Sequence, residues 1–235
     1  MPKFSVIIPA LNEEKYIKYP LEGLQEQTFS NFEVIVVDGN STDRTREIAK
    51  KYAKVIIDKS RGGAGKARNK GASIARGNYL VFIDADTKPS KNLLAEYLAT
   101  FENNKEVVAA TGPVLPLEKT GKKVRFGFKF VSIYFAKIML LLHRPTINGM
   151  NFAVRKSVFD ELHGFNENFV TYEDWDLSHR LSKKGKVAYV KNAVVYTSTR
   201  RVKAWGVLGF AAYHIGNMLR YHLLKKPKSN YEQIR

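Results

Sequence analysis

Three uninterrupted apolar runs of strand length constrain this chain most: Lys3–Pro9 (KFSVIIP), Glu33–Val37 (EVIVV) and Tyr79–Ile83 (YLVFI). A run without polar alternation has no face to give to water. It suits a parallel strand buried on both faces, and parallel strands need crossover connections. The intervening sequence supplies them. Asn12-Glu13-Glu14 opens a helical pattern that fades near Gln27, and Ser41-Thr42 caps a second pattern reaching about Tyr52. A short strand at Val55–Asp58 and a loop at Arg61–Gly65 lead into a third helix ending near Ile74-Ala75. Strands alternating with helices predict an α/β fold, a mostly parallel sheet flanked by helices.

The second half reads differently. Glu106–Val114 and Val187–Val195 read as strands, Lys156–Leu162 as a helix, and Glu173-Asp174-Trp175 opens another running to about Lys184. Two apolar helical stretches stand out, at 124–143 and 203–226. In the first, Arg125, Lys129, Ser132 and Lys137 form one narrow polar stripe, leaving an apolar remainder too wide for an ordinary surface helix. The second is interrupted by Gly206, Gly209 and Gly216 and ends in Lys225-Lys226. No uncharged apolar run reaches the length of a simple membrane span, and Met1-Pro2-Lys3 enters the first strand without a signal-peptide core. Among the 235 residues there is no cysteine, which excludes a disulfide framework, a thiolate metal site and a cysteine nucleophile. A formal charge of +17 favours anionic partners: phosphates, nucleic acid or an anionic membrane face.

In an open parallel sheet, ligands bind beyond the carboxyl ends of the strands. Three such ends carry polar clusters: Pro9-Ala10-Leu11-Asn12-Glu13, Asp38-Gly39-Asn40-Ser41-Thr42-Asp43 and Asp84-Ala85-Asp86. Carboxylates gathered on one rim repel each other, and a divalent cation such as Mn²⁺ or Mg²⁺, which takes hard oxygen ligands, is the common remedy. Asp84 and Asp86, two apart on extended backbone, point the same way; the plain alternative is a pair of turn formers. Asp38 is a strand-to-helix turn residue or a carboxylate that accepts from a nucleobase. Gly62-Gly63-Ala64-Gly65-Lys66 lacks the P-loop spacing and its Ser or Thr. Its free amides, with Arg61, Lys66 and Arg68, suit either a diphosphate or solvent. Glu173 and Asp174 either complement a helix dipole or, beside Tyr172, Trp175 and Leu177, supply a general base.

Taken in order, SVIIPALNEE at 5–14, EVIVVDGNSTDRT at 33–45, GGAGKARNKGASIARGNYLVFIDADT at 62–87, GMNFAVRKSVFDELHGFNE at 149–167 and YEDWDLSHRL at 172–181 resemble the family 2 glycosyltransferases. That resemblance implies a GT-A, Rossmann-like fold over about residues 1–200, with a nucleotide-binding half (about 1–115), an acceptor half (about 116–200) and a C-terminal apolar and basic helical extension (201–235). It implies inverting transfer of a sugar from a nucleotide-diphosphate donor. Pro9, Asn12 and Glu13 would line the nucleotide pocket and Asp38 would contact the base. Asp84 would lie by the ribose or donor sugar, and Asp86 would bind Mn²⁺ or Mg²⁺. Asp174 would be the catalytic base, with Glu173 beside it. The family often carries a late histidine as a further metal ligand. Val195–Arg201 has none, so Arg200 or Arg201 is expected on the diphosphate, and Asn151 is grouped with these acceptor or diphosphate contacts.

The Gln-x-x-Arg-Trp motif of processive synthases is absent, which favours single-sugar transfer. A UDP-sugar is the first expectation for the donor and a GDP-sugar the second. A sugar nucleotidyltransferase is the rival enzyme, but it would carry a glycine- and arginine-rich loop where Pro9–Glu14 stand. A non-enzymatic nucleotide-sugar-binding subunit is a further alternative. Nucleic acid is not expected as a partner, since charge alone suggests it and no motif does. The apolar stretches and the basic residues Arg220, Lys225, Lys226 and Lys228 predict peripheral attachment at the cytoplasmic, inner face of the cell membrane. A polyprenyl phosphate, another lipid or a saccharide would then be the acceptor. The alternative is that these helices cover the sheet or form a homodimer interface.

Overall fold

The computed structural model of the chain describes residues 1–60, 62–142 and 144–224. The first half runs β1 (Phe4–Ala10), α1 (Lys18–Gln25), β2 (Phe32–Asp38), α2 (Thr45–Ala49), β3 (Lys54–Ile57), α3 (Gly63–Ser73), β4 (Tyr79–Ile83), β5 (Thr87–Pro89), α4 (Leu93–Asn103), β6 (Val107–Thr111) and β7 (Val114–Pro116). There follow α5 (Lys122–Lys129), a π-helical turn (Phe130–Phe135), α6 (Ala136–Leu141), β8 (Asn151–Arg155), α7 (Lys156–Glu161), α8 (Glu173–Ser182), β9 (Lys186–Tyr189), β10 (Val195–Thr197) and α9 (Arg200–Leu224).

Seven strands form the main sheet in the order β3-β2-β1-β4-β8-β6-β9. The first four are parallel, β8 runs antiparallel to both neighbours, and β9 is parallel to β6. The apolar runs are buried on both faces, as their lack of alternation requires. Val6, Ile8, Val36 and Val81 enter one core layer, and Ile7, Ile35, Val37 and Leu80 the other. Each such side chain contributes about 1.5–3 kcal/mol when fully buried. At the β4–β8 junction Phe82 and Phe152 face each other across the pair, ring centroids 4.7 Å apart.

Several boundaries differ from the sequence reading. Residues 12–17 precede α1 rather than belonging to it: the amides of Asn12 and Glu14 bond outward to Ser41 and Asp43 in the loop after β2, and that of Glu13 to Thr45 at the start of α2. The segment at 149–152 leads into a central antiparallel strand. The runs at 106–114 and 187–195 each break in two, and their later parts join β5 in a three-stranded sheet, β5-β10-β7. At the break, Gly112 lies so close to Ala193 that a Cβ would stand 2.0 Å from its carbonyl oxygen.

Asn151, expected among the acceptor or diphosphate contacts, is a strut here. Its amide donates to the carbonyls of Pro113 (3.0 Å) and Ala193 (2.9 Å), its Oδ1 accepts from the Tyr97 hydroxyl (2.6 Å), and the residue is fully buried. The last apolar stretch is not one continuous helix, since Gly206 interrupts α9 with φ 71° and ψ 165°. Arg61 and the basic Lys225, Lys226 and Lys228 lie outside the described residues. Among the described residues no helix is long and apolar enough to cross a membrane.

One surface-proximal carboxylate ties β2 to the turn before β4. Burial pushes the Glu33 carboxyl upward. Hydrogen bonds from Ser5 Oγ (2.7 Å), the Arg76 amide (2.7 Å) and the Arg76 guanidinium (2.8 Å) outweigh it, so its pKa lies below 4.5. A carboxylate with a depressed folded pKa stabilises fully above its unfolded pKa, and the contribution is lost as pH falls through the folded value. Glu33→Gln is therefore expected to cost about 1–2 kcal/mol at pH 7. Urea unfolding from pH 7 to pH 3 should show the gap to wild type closing below about pH 4.5.

Candidate functional site

The polar ends of β1, β2 and β4 meet on one rim of the main sheet. Pro9 is partly exposed near the end of β1. Asn12 follows with φ 53°, a left-handed conformation that asparagine tolerates. Its Oδ1 accepts the Thr42 amide at 2.8 Å, and its own amide donates to Ser41 Oγ at 2.9 Å. The Glu13 amide donates to Thr45 Oγ1 at 2.7 Å. These bonds lock the β1 and β2 loops together. Asp38 is fully buried. Its Oδ1 accepts the Ser41 amide at 2.9 Å and lies 3.4 Å from Arg46 Nε, while its Oδ2 has no hydrogen-bond partner among the described residues.

Two guanidiniums organise the remaining carboxylates. Arg68, on the sheet-facing side of α3, is 3% exposed and bridges Asp84 (2.7 Å) and Glu173 (2.8 Å). It also lies over the Phe165 ring at 5.4 Å. Burial works against its charge, but Asp84 and Glu173 outweigh that and hold it protonated. Arg200, at the start of α9, makes a fork to both Glu13 oxygens (2.6 Å each) and reaches Asp86 Oδ2 at 3.1 Å. Tyr16 lies beneath it, 4.7 Å from ring centroid to guanidinium. Glu118 fixes this end of α9 by accepting from the Thr199 amide (2.9 Å) and from the Ser198 and Thr199 hydroxyls.

Asp174 stands in the first turn of α8. Its Oδ2 accepts the Gly149 amide at 3.0 Å and its Oδ1 the Trp175 amide at 2.9 Å. A Cβ at position 149 would lie 3.2 Å from an Arg68 nitrogen and 3.3 Å from Asp174 Oδ2, so the absence of a side chain there brings arginine and carboxylate together. Burial raises the pKa of Asp174, against the Gly149 amide and Arg68. Burial also raises Glu173, with the charge of Asp174 adding and Arg68 opposing. Asp86 is pushed up to about 6 by burial. Arg200 opposes that rise, while Asp84 and Glu13 add to it.

Of the residues singled out in the sequence, Glu13, Arg68, Asp84, Asp86, Glu173, Asp174 and Arg200 thus form one network, and Arg201 acts on it through its charge at Asp86. Lys66 does not join them. It lines a separate depression with Asp58, Asn69, Lys70 and His163. Gly149, Glu118 and Tyr16 were not anticipated. Arg68 carried a signal: it sits in a stripe of small buried residues, Gly65, Ala67, Gly71 and Ala72, where a lone arginine must find buried partners.

Among the described residues no three His, Cys, Asp or Glu side chains converge to hold an ion unaided. Mg²⁺-type ions need only one or two carboxylates when substrate phosphates complete the shell. The donor set suits this. Asp86 offers hard oxygens beside two further carboxylates, Asp84 and Glu13, whose charges add to the rise that burial causes in its pKa. Asp86 would be the protein's main ligand, since its link to Arg200 is longer, 3.1 Å against 2.7 Å between Asp84 and Arg68.

Removing one partner from a buried ionic bridge strands the others without compensation. Arg68→Met is expected to lower the unfolding free energy by about 3–5 kcal/mol at pH 7. The deficit should shrink in urea titrations at lower pH, as Glu173, whose pKa burial raises, becomes neutral.

A model of the family described as "Glycosyl transferase family 2" matches residues 5–163. Over 209 residues the chain is 32% identical to the O-antigen chain rhamnosyltransferase WbaN of Salmonella anatum, covering 83% of this chain and 66% of that protein. It is 38% identical over 112 residues to the poly(ribitol-phosphate) beta-N-acetylglucosaminyltransferase TarS of Staphylococcus aureus, covering 44% of this chain but only 20% of TarS. The crystal structure of S. aureus TarS 1–349 in complex with UDP-GlcNAc matches with a TM-score of 0.68 and 26% identity over 84% of this chain and 59% of that one. The mannosyltransferase PcManGT from Pyrobaculum calidifontis, in complex with GDP-Man and Mn²⁺, shares the fold at a TM-score of 0.66 and 20% identity, covering 92% and 64%. The family match takes in the ends of β1, β2 and β4 together with Arg68, and these comparisons establish that the chain belongs to glycosyl transferase family 2, with the GT-A fold.

Proposed function

We propose that this chain is an inverting glycosyltransferase that moves one sugar from a nucleotide-diphosphate donor, UDP first and GDP second, to an acceptor. The observation that carries this reading is the Arg68 bridge. It joins Asp84, on the donor rim, to Glu173, whose neighbour Asp174 is a buried carboxylate with a raised pKa. Donor-side and acceptor-side carboxylates thereby share one counter-ion. Asp38 supports the donor assignment, because its unpartnered, buried Oδ2 suits the imide N–H of uracil or the ring N–H of guanine. The UDP-GlcNAc held by TarS favours uracil.

In the proposed step the acceptor oxygen attacks the anomeric carbon while the bond to the donor diphosphate breaks, and that electron pair leaves on the diphosphate. The acceptor proton passes to Asp174, held in place by the Gly149 and Trp175 amides. Arg68 holds Glu173 in place and opposes the burial that favours its neutral form, and Arg200, which reaches Asp86, and Arg201 would meet the departing phosphates. A bound Mn²⁺ or Mg²⁺ would supply charge neutralisation to the leaving diphosphate. The glycine- and arginine-rich loop of a sugar nucleotidyltransferase has no counterpart between Pro9 and Glu14.

We further assign the acceptor to a membrane surface, as a polyprenyl phosphate, another lipid or a lipid-borne saccharide, with the protein peripheral at the inner face of the membrane. The apolar 124–143 segment and the basic excess support this.

Asp174→Asn keeps the size and removes the basicity. With a hydroxyl acceptor it is expected to cut transfer by at least about a hundredfold while UDP and Mn²⁺ affinity stays near wild type. The acid limb of wild-type kcat/KM should lie above the ordinary carboxylate range, since the base must be ionised and its pKa is raised. Full activity of the variant on every acceptor would remove Asp174 from the mechanism. Isothermal titration tests the donor side. Asp86→Ala should abolish metal-dependent UDP binding, whereas Asp38→Ala should weaken UDP binding and leave that of free Mn²⁺ little changed.

A further inference from the structure

The helical segment before β8 carries an outward aromatic stripe that the mechanism does not use. Of eleven exposed large hydrophobics among the described residues, six lie here: Phe126, Phe130, Tyr134, Ile138, Leu141 and Leu142. Four of them follow at i+4 spacing. On a pure α-helix such a series drifts about 40° per step around the axis. The π-helical turn at Phe130–Phe135 takes more residues per turn and sets the drift back, so the series stays on one face. Consecutive rings touch along it, with Phe126–Phe130 centroids 6.2 Å apart and Phe130–Tyr134 6.4 Å.

The opposite face is anchored. Phe135 meets the Trp175 ring at 6.2 Å, Ala136 is buried, and the Tyr189 hydroxyl donates to the Ser132 carbonyl at 2.9 Å. Trp175 directly follows Asp174. The stripe is therefore the outer side of an element whose inner side touches the acceptor end of the site.

Charge selects the occupant. Lys122, Arg125, Lys129, Lys137 and Arg144 are exposed on the same segment, and no Asp or Glu occurs between Glu118 and Asp160. A second copy docking here would set two such basic segments against each other. Aromatic and aliphatic side chains flanked by lysine and arginine suit the interface of an anionic bilayer, where rings sit at headgroup depth and cations meet lipid phosphates. We propose that the Phe126–Leu142 face is the surface by which the protein lies on an anionic membrane, presenting the acceptor end of the cleft to lipid-borne substrate. The assignment rests on the proposed lipid acceptor and deepens it by naming the docking surface.

The test is flotation of the full chain with phosphatidylcholine vesicles containing or lacking phosphatidylglycerol, with UDP and Mn²⁺ binding measured in parallel by titration. Wild type is expected to float with the anionic vesicles at low salt, and less so at high salt. Phe130→Ser with Tyr134→Ser should abolish flotation while leaving UDP affinity unchanged. Lys122→Gln, Lys129→Gln and Lys137→Gln together should weaken it by about a hundredfold, at about fivefold per neutralised cation. Because the stripe is already in water, these variants leave the core intact, and the titration verifies folding. Absence of flotation in a wild-type protein that binds UDP overturns the docking face and leaves donor use standing; flotation without UDP binding does the reverse. Unchanged flotation of the stripe variant, or self-association of wild type that the stripe variant loses, also overturns the proposal.

Discussion

The guanidinium of Arg68 is the interaction on which the site depends. It is almost wholly buried, so it can remain charged only with anions in contact, and Asp84 and Glu173 provide them from opposite halves of the chain. Asp84 ends β4 in the parallel part of the sheet, whereas Glu173 starts α8, more than eighty residues later. Gly149 leaves room for the contact, and its amide orients Asp174. Asp84, beyond the end of β4, and Glu173, the neighbour of the proposed base, are thus held by one side chain.

Electrostatics then divides the rim into two stations. Glu13, Asp84, Asp86, Glu173 and Asp174 outnumber Arg68, Arg200 and Arg201; burial raises the pKa values of Asp86, Glu173 and Asp174, and carboxylate repulsion adds to the rise at Asp86 and Glu173. A diphosphate entering this field adds negative charge. The carboxylate partners of Arg200, Glu13 and Asp86, both belong to the loops at the ends of β1 and β4. Because it also begins α9, Arg200 ties those loop ends to the start of the C-terminal helix. Glu118, Ser198 and Thr199 provide the anchor for that connection.

The parallel strands and the polar rim were legible in the sequence because both are local signals. An apolar run either alternates or does not, and Asp38, Asp84 and Asp86 stand where strands stop. What was not legible depends on partners distant in the chain. β8 is short and lies between β4 and β6, so its pairing is written in neither its length nor its periodicity. Asn151 looks like a polar group awaiting a ligand until Tyr97, Pro113 and Ala193 close around it. Arg68 and Lys66 sit two residues apart in one basic loop-helix segment. Helical geometry sends the first into the site and the second to another depression. The π-helical turn keeps Phe126, Phe130, Tyr134 and Ile138 on one outer face beside the exposed Arg125, Lys129 and Lys137, an arrangement that α-helical periodicity alone does not anticipate.

If Arg68 is the shared counter-ion of the two halves, Asp84 and Glu173 must be energetically coupled although they come from different elements. A double-mutant cycle with Asp84→Asn and Glu173→Gln, read by urea unfolding at pH 7, measures that coupling. Each single change leaves Arg68 one of its two bridging carboxylates; the double change removes both and leaves it only the charge of Asp174, which it does not bridge. A shared counter-ion requires the double variant to lose at least about 1 kcal/mol more than the sum of the singles, and the excess to disappear in an Arg68→Met background. Additivity within about 0.3 kcal/mol in the Arg68 background would contradict it.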